Sequence, residues 1–248
     1  MDSATNEGMG KIAQTEEVLE KIGREYGEKA VFTSSFGAED MVITHLISKL
    51  DLDIEIATID TGRLHQATYD FIDRAVKFYG LKLKSYFPEA SEVEEMVNKS
   101  GYNLFYYSQE NRKFCCNIRK VHPLEKILTG KKAWITGLRS EQNKFRQTLG
   151  MMEKDTSRGI LKVNPLIYWT SSDVWDFIKQ NGIPYNSLHD KGYPSIGCEP
   201  CTRAIMPGEG ERAGRWWWES GLKECGLHLS GQGESNSGGN TKSSDGGS

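Results

Sequence analysis

The chain has 248 residues, with 31 Lys and Arg against 34 Asp and Glu and a formal net charge of −3. A balance this close to neutral argues against a generally basic nucleic-acid binder. With 37% hydrophobic and 10% aromatic residues there is enough apolar side chain for a real core, which excludes wholesale disorder. No apolar run approaches the ~18 residues of a membrane-spanning helix. The start, Met1-Asp2-Ser3-Ala4-Thr5-Asn6-Glu7, lacks the basic and apolar stretches of a signal peptide. It is also too acidic and too poor in Arg for a transit peptide, so a cytoplasmic, reducing location is expected.

Residues 1–10 read as a flexible N-terminus, and a helical period then runs from Lys11 to about Tyr26. Ala30 to Thr33 is β-like, and Glu39 to Leu50 helical. Ile54 to Ile59 is a second strand ending in the polar turn Asp60-Thr61-Gly62. His65 to Tyr79 is an amphipathic helix, Leu81 to Tyr86 alternates like a strand, and Ala90 to Ser100 is helical. Ala133 to Gly137 is another strand, and Ser171 to Gln180 a helix followed by Asn181-Gly182. Residues 11–229 read as one domain whose C-terminal segment, with Cys225, is expected to be mobile, and the Gly/Ser-rich stretch 230–248 has little to bury and reads as a disordered tail. Strands alternating with helices predict an α/β fold, a mostly parallel Rossmann-like sheet with helices on both faces. In such folds ligands bind beyond the carboxyl ends of the strands.

Two turns lie at those ends. In Thr33-Ser34-Ser35-Phe36-Gly37 the small Ser34, Ser35 and Gly37 let backbone N–H groups approach an anion at a helix N-terminus. The turn is not a Walker loop, because no Gly-Lys-Ser/Thr follows it. Asp60, Thr61 and Gly62 form the second candidate loop.

The five cysteines carry the sharper signal. Cys115-Cys116 and Cys198-Glu199-Pro200-Cys201 are two close pairs, as a four-thiolate site requires. Zinc and an iron–sulfur cluster both qualify. Side chains of adjacent cysteines diverge, which suits a cubane with several irons better than one small ion. Cys225 is left over, beside Lys223 and His228, two groups that would favour its thiolate. Arg119, Lys120, Arg139, Arg212 and Arg215 supply the cations that a doubly charged, phosphate-like ligand needs.

Together these segments resemble the assimilatory adenylyl-sulfate reductases, within the wider adenylyl- and phosphoadenylyl-sulfate reductase family. The resemblance covers roughly residues 28 to 228. It is carried by Ser34-Ser35-Phe36-Gly37-Ala38-Glu39-Asp40, Ile59-Asp60-Thr61-Gly62-Arg63, Cys115-Cys116-x-x-Arg119-Lys120 and Thr136-Gly137-Leu138-Arg139. Further along, Gly192 to Arg203, Gly214-Arg215-Trp216-Trp217-Trp218-Glu219 and Glu224-Cys225-Gly226-Leu227-His228 continue it.

The resemblance implies an adenine nucleotide α-hydrolase-like sheet. It also implies reduction of adenylyl sulfate to sulfite and AMP in sulfate assimilation and cysteine biosynthesis. Cys225 would attack the sulfate sulfur to give an S-sulfocysteine, with Lys120 and His228 as further catalytic groups. Arg139, Arg212, Arg215 and His228 match positions that contact the phosphosulfate. Ser34, Ser35, Gly37, Asp60, Thr61 and Gly62 match the nucleotide loops. Cys115, Cys116, Cys198 and Cys201 would ligate one [4Fe–4S] cluster per subunit. The implied electron donor is a separate thioredoxin-like protein. No nucleic-acid or membrane partner is expected, and an oligomer of identical subunits is compatible with the family. The alternatives are a reductase of the 3′-phosphorylated nucleotide, or of both, and an ATP pyrophosphatase-type adenylating or thiolating enzyme. The last normally shows a Ser-Gly-Gly-x-Asp-Ser loop, which this chain lacks. A zinc-binding module without catalysis is a further alternative.

Overall fold

The computed structural model describes residues 3–144 and 146–220. In chain order its elements are α1 (Ser3–Tyr26), β1 (Ala30–Thr33), α2 (Ala38–Lys49), β2 (Glu55–Ile59), α3 (Gln66–Tyr79), β3 (Lys84–Tyr86) and α4 (Ala90–Ser100). There follow α5 (Gln109–Cys116), a π-helical segment (Asn117–Val121), α6 (His122–Leu128), β4 (Ala133–Ile135), β5 (Met152–Asp155), β6 (Ile160–Val163) and α7 (Ser171–Gln180).

The strands form one sheet in the order β3-β2-β1-β4-β6-β5. All neighbours run parallel except β5 and β6, an antiparallel pair at one edge. The order reverses at β1, the point in an open α/β sheet where strand ends diverge and leave a crevice. Strands β1 and β4 are buried on both faces and read as continuous apolar runs, as parallel strands covered by helices do. Phe32, Met41, Leu46, Phe71 and Ile135 are fully buried in the main core, with Leu19 and Ile22 of α1 packed onto it.

Helix α1 starts at Ser3, within the stretch 1–10 that the sequence reads as a flexible N-terminus. Gly8 and Gly10 masked the helical period there, yet a Cβ at either would meet nothing within 4 Å, so neither marks a turn or a close approach. The expected tail, 230–248, lies outside the described residues.

A second apolar cluster sits apart from the sheet. It comprises Met96, Leu104, Phe105, Ile118 and Trp216, together with Cys115, Cys198 and Cys201.

Candidate active site

A cleft of about 210 Å³ opens at the carboxyl ends of β1, β2 and β4. Ser34, Ser35 and Gly37 line it from the first turn, Thr58 from the end of β2 and Thr61 from the turn after it, and Thr136 and Gly137 from the third turn. The first turn is held open by its own hydrogen bonds. Ser34 N–H donates to the Ala57 carbonyl at 2.8 Å, and Phe36 N–H donates to Ser34 Oγ at 3.1 Å. Phe36 takes φ 58°, an uncommon left-handed conformation for a bulky residue. Its ring is buried against Phe71, which anchors the turn from below.

Asp40 closes the turn from α2. Its Oδ2 accepts from Ser35 N–H at 2.5 Å and from Ser35 Oγ at 2.7 Å. Burial pushes this carboxyl up to about 7 despite both hydrogen bonds. Gly137 makes room for it, since a Cβ there would lie 2.1 Å from Asp40 Oδ1.

The opposite wall is cationic. Lys120, Arg146, Arg212 and Arg215 all line the cleft. Arg212 Nη1 and Arg215 Nη1 both donate to Ser195 Oγ at 3.3 Å, so two guanidinium groups converge on one hydroxyl. Arg215 also lies across Gly197, where a Cβ would sit 2.4 Å from its Nη2.

The expected substrate residues divide. Ser34, Ser35, Gly37, Thr61, Arg212 and Arg215 line the cleft. Asp60 and Gly62 are not among the residues lining it. Asp60 Oδ1 instead accepts from Gly62 N–H at 2.7 Å and Tyr69 O–H at 2.8 Å, which shapes the turn. Arg139 is likewise set back. Its side chain is 1% exposed and meets Glu39 at 2.7 Å, Glu141 at 3.1 Å and Glu211 at 2.5 Å. Arg146, seven residues on, lines the cleft in its stead and donates to Gln142 Oε1. Sequence reasoning missed Arg146, Gln142 and Ser195. Ser195 sits inside a quoted motif, whereas Arg146 has no local signal.

His189 also lines the cleft, and both its ring nitrogens are buried without a hydrogen-bond partner among the described residues. Burial holds this imidazole below the usual histidine range. Cys225 and His228 lie outside the described residues.

Next to the cleft, Cys115, Cys116, Cys198 and Cys201 line one small cavity of about 20 Å³. Helix α5 is capped by Ser108, whose Oγ accepts from Asn111 N–H at 3.1 Å, and it ends at Cys116. The π-helical segment that follows carries Arg119 and Lys120. Cys198 and Cys201 wrap around a 3₁₀ turn with Pro200 near its start, closed by Cys201 N–H donating to Cys198 O at 3.0 Å.

None of the four is in a disulfide, and Arg63, Arg112, Arg119 and Lys120 share the lining. Burial opposes ionisation of Cys198, but Lys120, the Thr61 hydroxyl, Arg215 and Arg119 outweigh it and lower that thiol. Burial, aided by the charge of Cys198, pushes Cys201 up to about 12. Among the described residues no group of three or more His, Cys, Asp or Glu is placed to hold a single metal ion. Four thiols around a shared cavity, ringed by cations, fit a polynuclear, thiolate-bound cluster carrying net negative charge. Lys120 lines both this cavity and the cleft.

Comparison with known proteins follows the same lines. Residues 29–204 match the phosphoadenosine phosphosulfate reductase domain. Adenosine 5'-phosphosulfate reductase of Burkholderia cepacia is 49% identical over 226 residues, covering 91% of this chain and 90% of its own length. That of Rhizobium meliloti is 50% identical over 202 residues, covering 81% and 76%. The phosphoadenylyl-sulfate reductase of Candida auris, solved as a phosphate complex, is 32% identical with a TM-score of 0.65, covering 75% of this chain and 88% of its own. Yeast FAD synthetase, in complex with FAD, shares the fold at 16% identity and a TM-score of 0.59, covering 82% and 69%. With its nucleotide-type turn, its arginine-walled cleft and the match across most of its length, the chain belongs to the phosphoadenosine phosphosulfate reductase domain family.

Proposed function

We propose that the chain reduces adenylyl sulfate to sulfite and AMP in sulfate assimilation, through an S-sulfocysteine on Cys225. The observation that carries this reading is the convergence of Lys120, Arg212 and Arg215 on a cleft bounded by the Ser34–Gly37 turn. A mixed phosphate–sulfate anhydride is anionic at both ends of its reacting bond. Fixed guanidinium and ammonium groups bind it and stabilise the charge that grows on the departing phosphate. The names of three relatives point the same way, two adenosine 5'-phosphosulfate reductases and a phosphoadenylyl-sulfate reductase solved with phosphate.

In the proposed chemistry, the Cys225 thiolate forms an S–S bond to the sulfate sulfur. The bond from that sulfur to the bridging oxygen breaks, and AMP leaves with the electron pair. A thiolate of a separate, reduced thioredoxin-like protein then attacks Cys225 Sγ. Sulfite departs with the electrons of the S–S bond, and the second donor thiol resolves the mixed disulfide. Lys120, placed on the wall common to both cavities, would hold charge against the phosphosulfate. Cys115, Cys116, Cys198 and Cys201 would hold a [4Fe–4S] cluster, which when bound supplies a compact charge and ties two distant segments together. His228 would act beside Cys225. Arg139 is assigned a supporting part, holding Glu39, Glu141 and Glu211 in place.

Adenylyl sulfate is favoured over its 3′-phosphorylated form by the four cysteines. No described helix is long and apolar enough to cross a membrane, and a cytoplasmic location is proposed with the reducing donor in mind.

The test is anaerobic incubation with sulfur-labelled adenylyl sulfate and no donor protein. Wild type should carry the label on Cys225 and release AMP, and Cys225→Ser should carry none. Label that appears on no cysteine while AMP is released would overturn the mechanism. The 3′-phosphorylated nucleotide run in parallel measures the preference.

A further inference from the structure

Trp216 occupies an unusual position between the two cavities. The residue is 1% exposed, yet its backbone takes φ 42°, a region that a bulky side chain enters only when its surroundings hold it there. One face of the indole is covered by Arg112, whose guanidinium carbon is 4.3 Å from the ring centroid. Arg215 covers it at 4.8 Å. The indole N–H has no hydrogen-bond partner among the described residues, so the ring is held by packing and by these two cations.

Both cations lead somewhere. Arg112 is on α5, one turn before Cys115 and Cys116, and its Nε donates to Glu219 Oε1 at 2.6 Å in a buried ion pair. Arg215 lines the substrate cleft and is steered by Ser195 Oγ and the Ile196 carbonyl, each at 3.3 Å. The Trp216 backbone adds a third tie, its N–H donating to the Cys201 carbonyl at 3.1 Å, beside the bridge between Thr202 and Arg215. The ring therefore touches one cysteine segment through Arg112, the other through its own backbone, and the cleft through Arg215.

We propose that Trp216 is a positioning residue, a plate that fixes the Arg215 guanidinium in the cleft and makes its orientation depend on both cysteine-bearing segments. A cation over an aromatic face loses lateral freedom, and a buried guanidinium so held keeps its N–H groups aimed without further cost when an anion arrives. The inference rests on the reading that Arg215 meets the phosphosulfate.

The test measures binding rather than turnover. Equilibrium dissociation constants are taken for adenylyl sulfate and for adenosine with wild type, Trp216→Leu and Trp216→Phe, each purified anaerobically and matched for iron content. Trp216→Leu should weaken adenylyl sulfate by about tenfold and leave adenosine unchanged. Trp216→Phe, which keeps a ring, should weaken adenylyl sulfate by about threefold, again selectively. If Trp216→Leu does not fold, the Phe variant decides alone. Equal weakening of both ligands, or no weakening of adenylyl sulfate, overturns the proposal, because a merely structural tryptophan has no reason to distinguish anion from nucleoside. Wild type that binds adenosine and not adenylyl sulfate would instead sink the proposed function.

Discussion

The two cavities are built by different means. The cleft is a by-product of the sheet. Its walls are strand ends and βα turns that sit on a close-packed apolar core of Phe32, Ile135 and their neighbours. The cysteine cavity stands on a small satellite cluster in which three thiols count among the buried groups, and buried Arg112 and Arg119 lie beside them. Apolar packing can hold the first in shape unaided. The second concentrates desolvated charge and polar sulfur, which disfavours its own compact state unless something compensates. The comparison teaches that the fold alone shapes the cleft, whereas the four-cysteine region would depend on the cluster proposed for it.

Cys198→Ala should have the largest effect on function. It is expected to lose iron and all measurable activity while far-UV circular dichroism keeps the sheet signature. Loss of the whole fold on this change would break the distinction between the two regions. Phe32→Ala tests the other side. Emptying a fully buried position on β1 should cost about 3–5 kcal/mol, read as a lower urea midpoint for the sheet.

Gly137→Ala comes next. Its Cβ would collide with Asp40 Oδ1, displacing the carboxylate that closes the first turn. Adenosine binding should weaken by about tenfold, measured by calorimetry, with a smaller loss of stability. Gly197→Ala presses on the buried guanidinium of Arg215. It should weaken adenylyl sulfate by about tenfold, as loss of the Trp216 ring does, and spare adenosine.

The smallest expected effect is on pH dependence. Burial pushes Asp40 up to about 7 in the folded protein, well above the ordinary carboxylate value of about 4. The folded state therefore binds the proton more tightly than the unfolded chain. The stability this contributes is complete below about pH 4 and is lost as the pH rises through 7. Asp40→Asn cannot ionise, so its Tm should fall less than that of wild type between pH 5 and pH 8. Parallel curves for the two proteins would count against the burial of that charge.

Periodicity made much of the sheet legible. The strand Ala30–Thr33 and the helices Ala90–Ser100 and Ser171–Gln180 lie where their patterns put them. The hairpin β5–β6 was not read, because Met152 and Lys154 are exposed and Glu153 half-buried on an edge strand with no apolar alternation. Residue type revealed the cysteines, since few roles need two such close pairs. Arg139 and Arg146 look alike in sequence. What separates them is that Glu39 and Glu211, 100 and 72 residues away, converge on Arg139. Only the fold brings those carboxylates together.

The π-helical turn after Cys116 has a consequence for how this segment can vary. A π turn holds one residue more than an α turn, so it works as a spacer inserted in a helix. Ordinary α winding of the same residues would rotate everything beyond by about 100°, one residue's worth of α-helix, and carry Lys120 out of the wall that both cavities share. The winding of this stretch, and not its side chains alone, is a dimension of the active site in its own right.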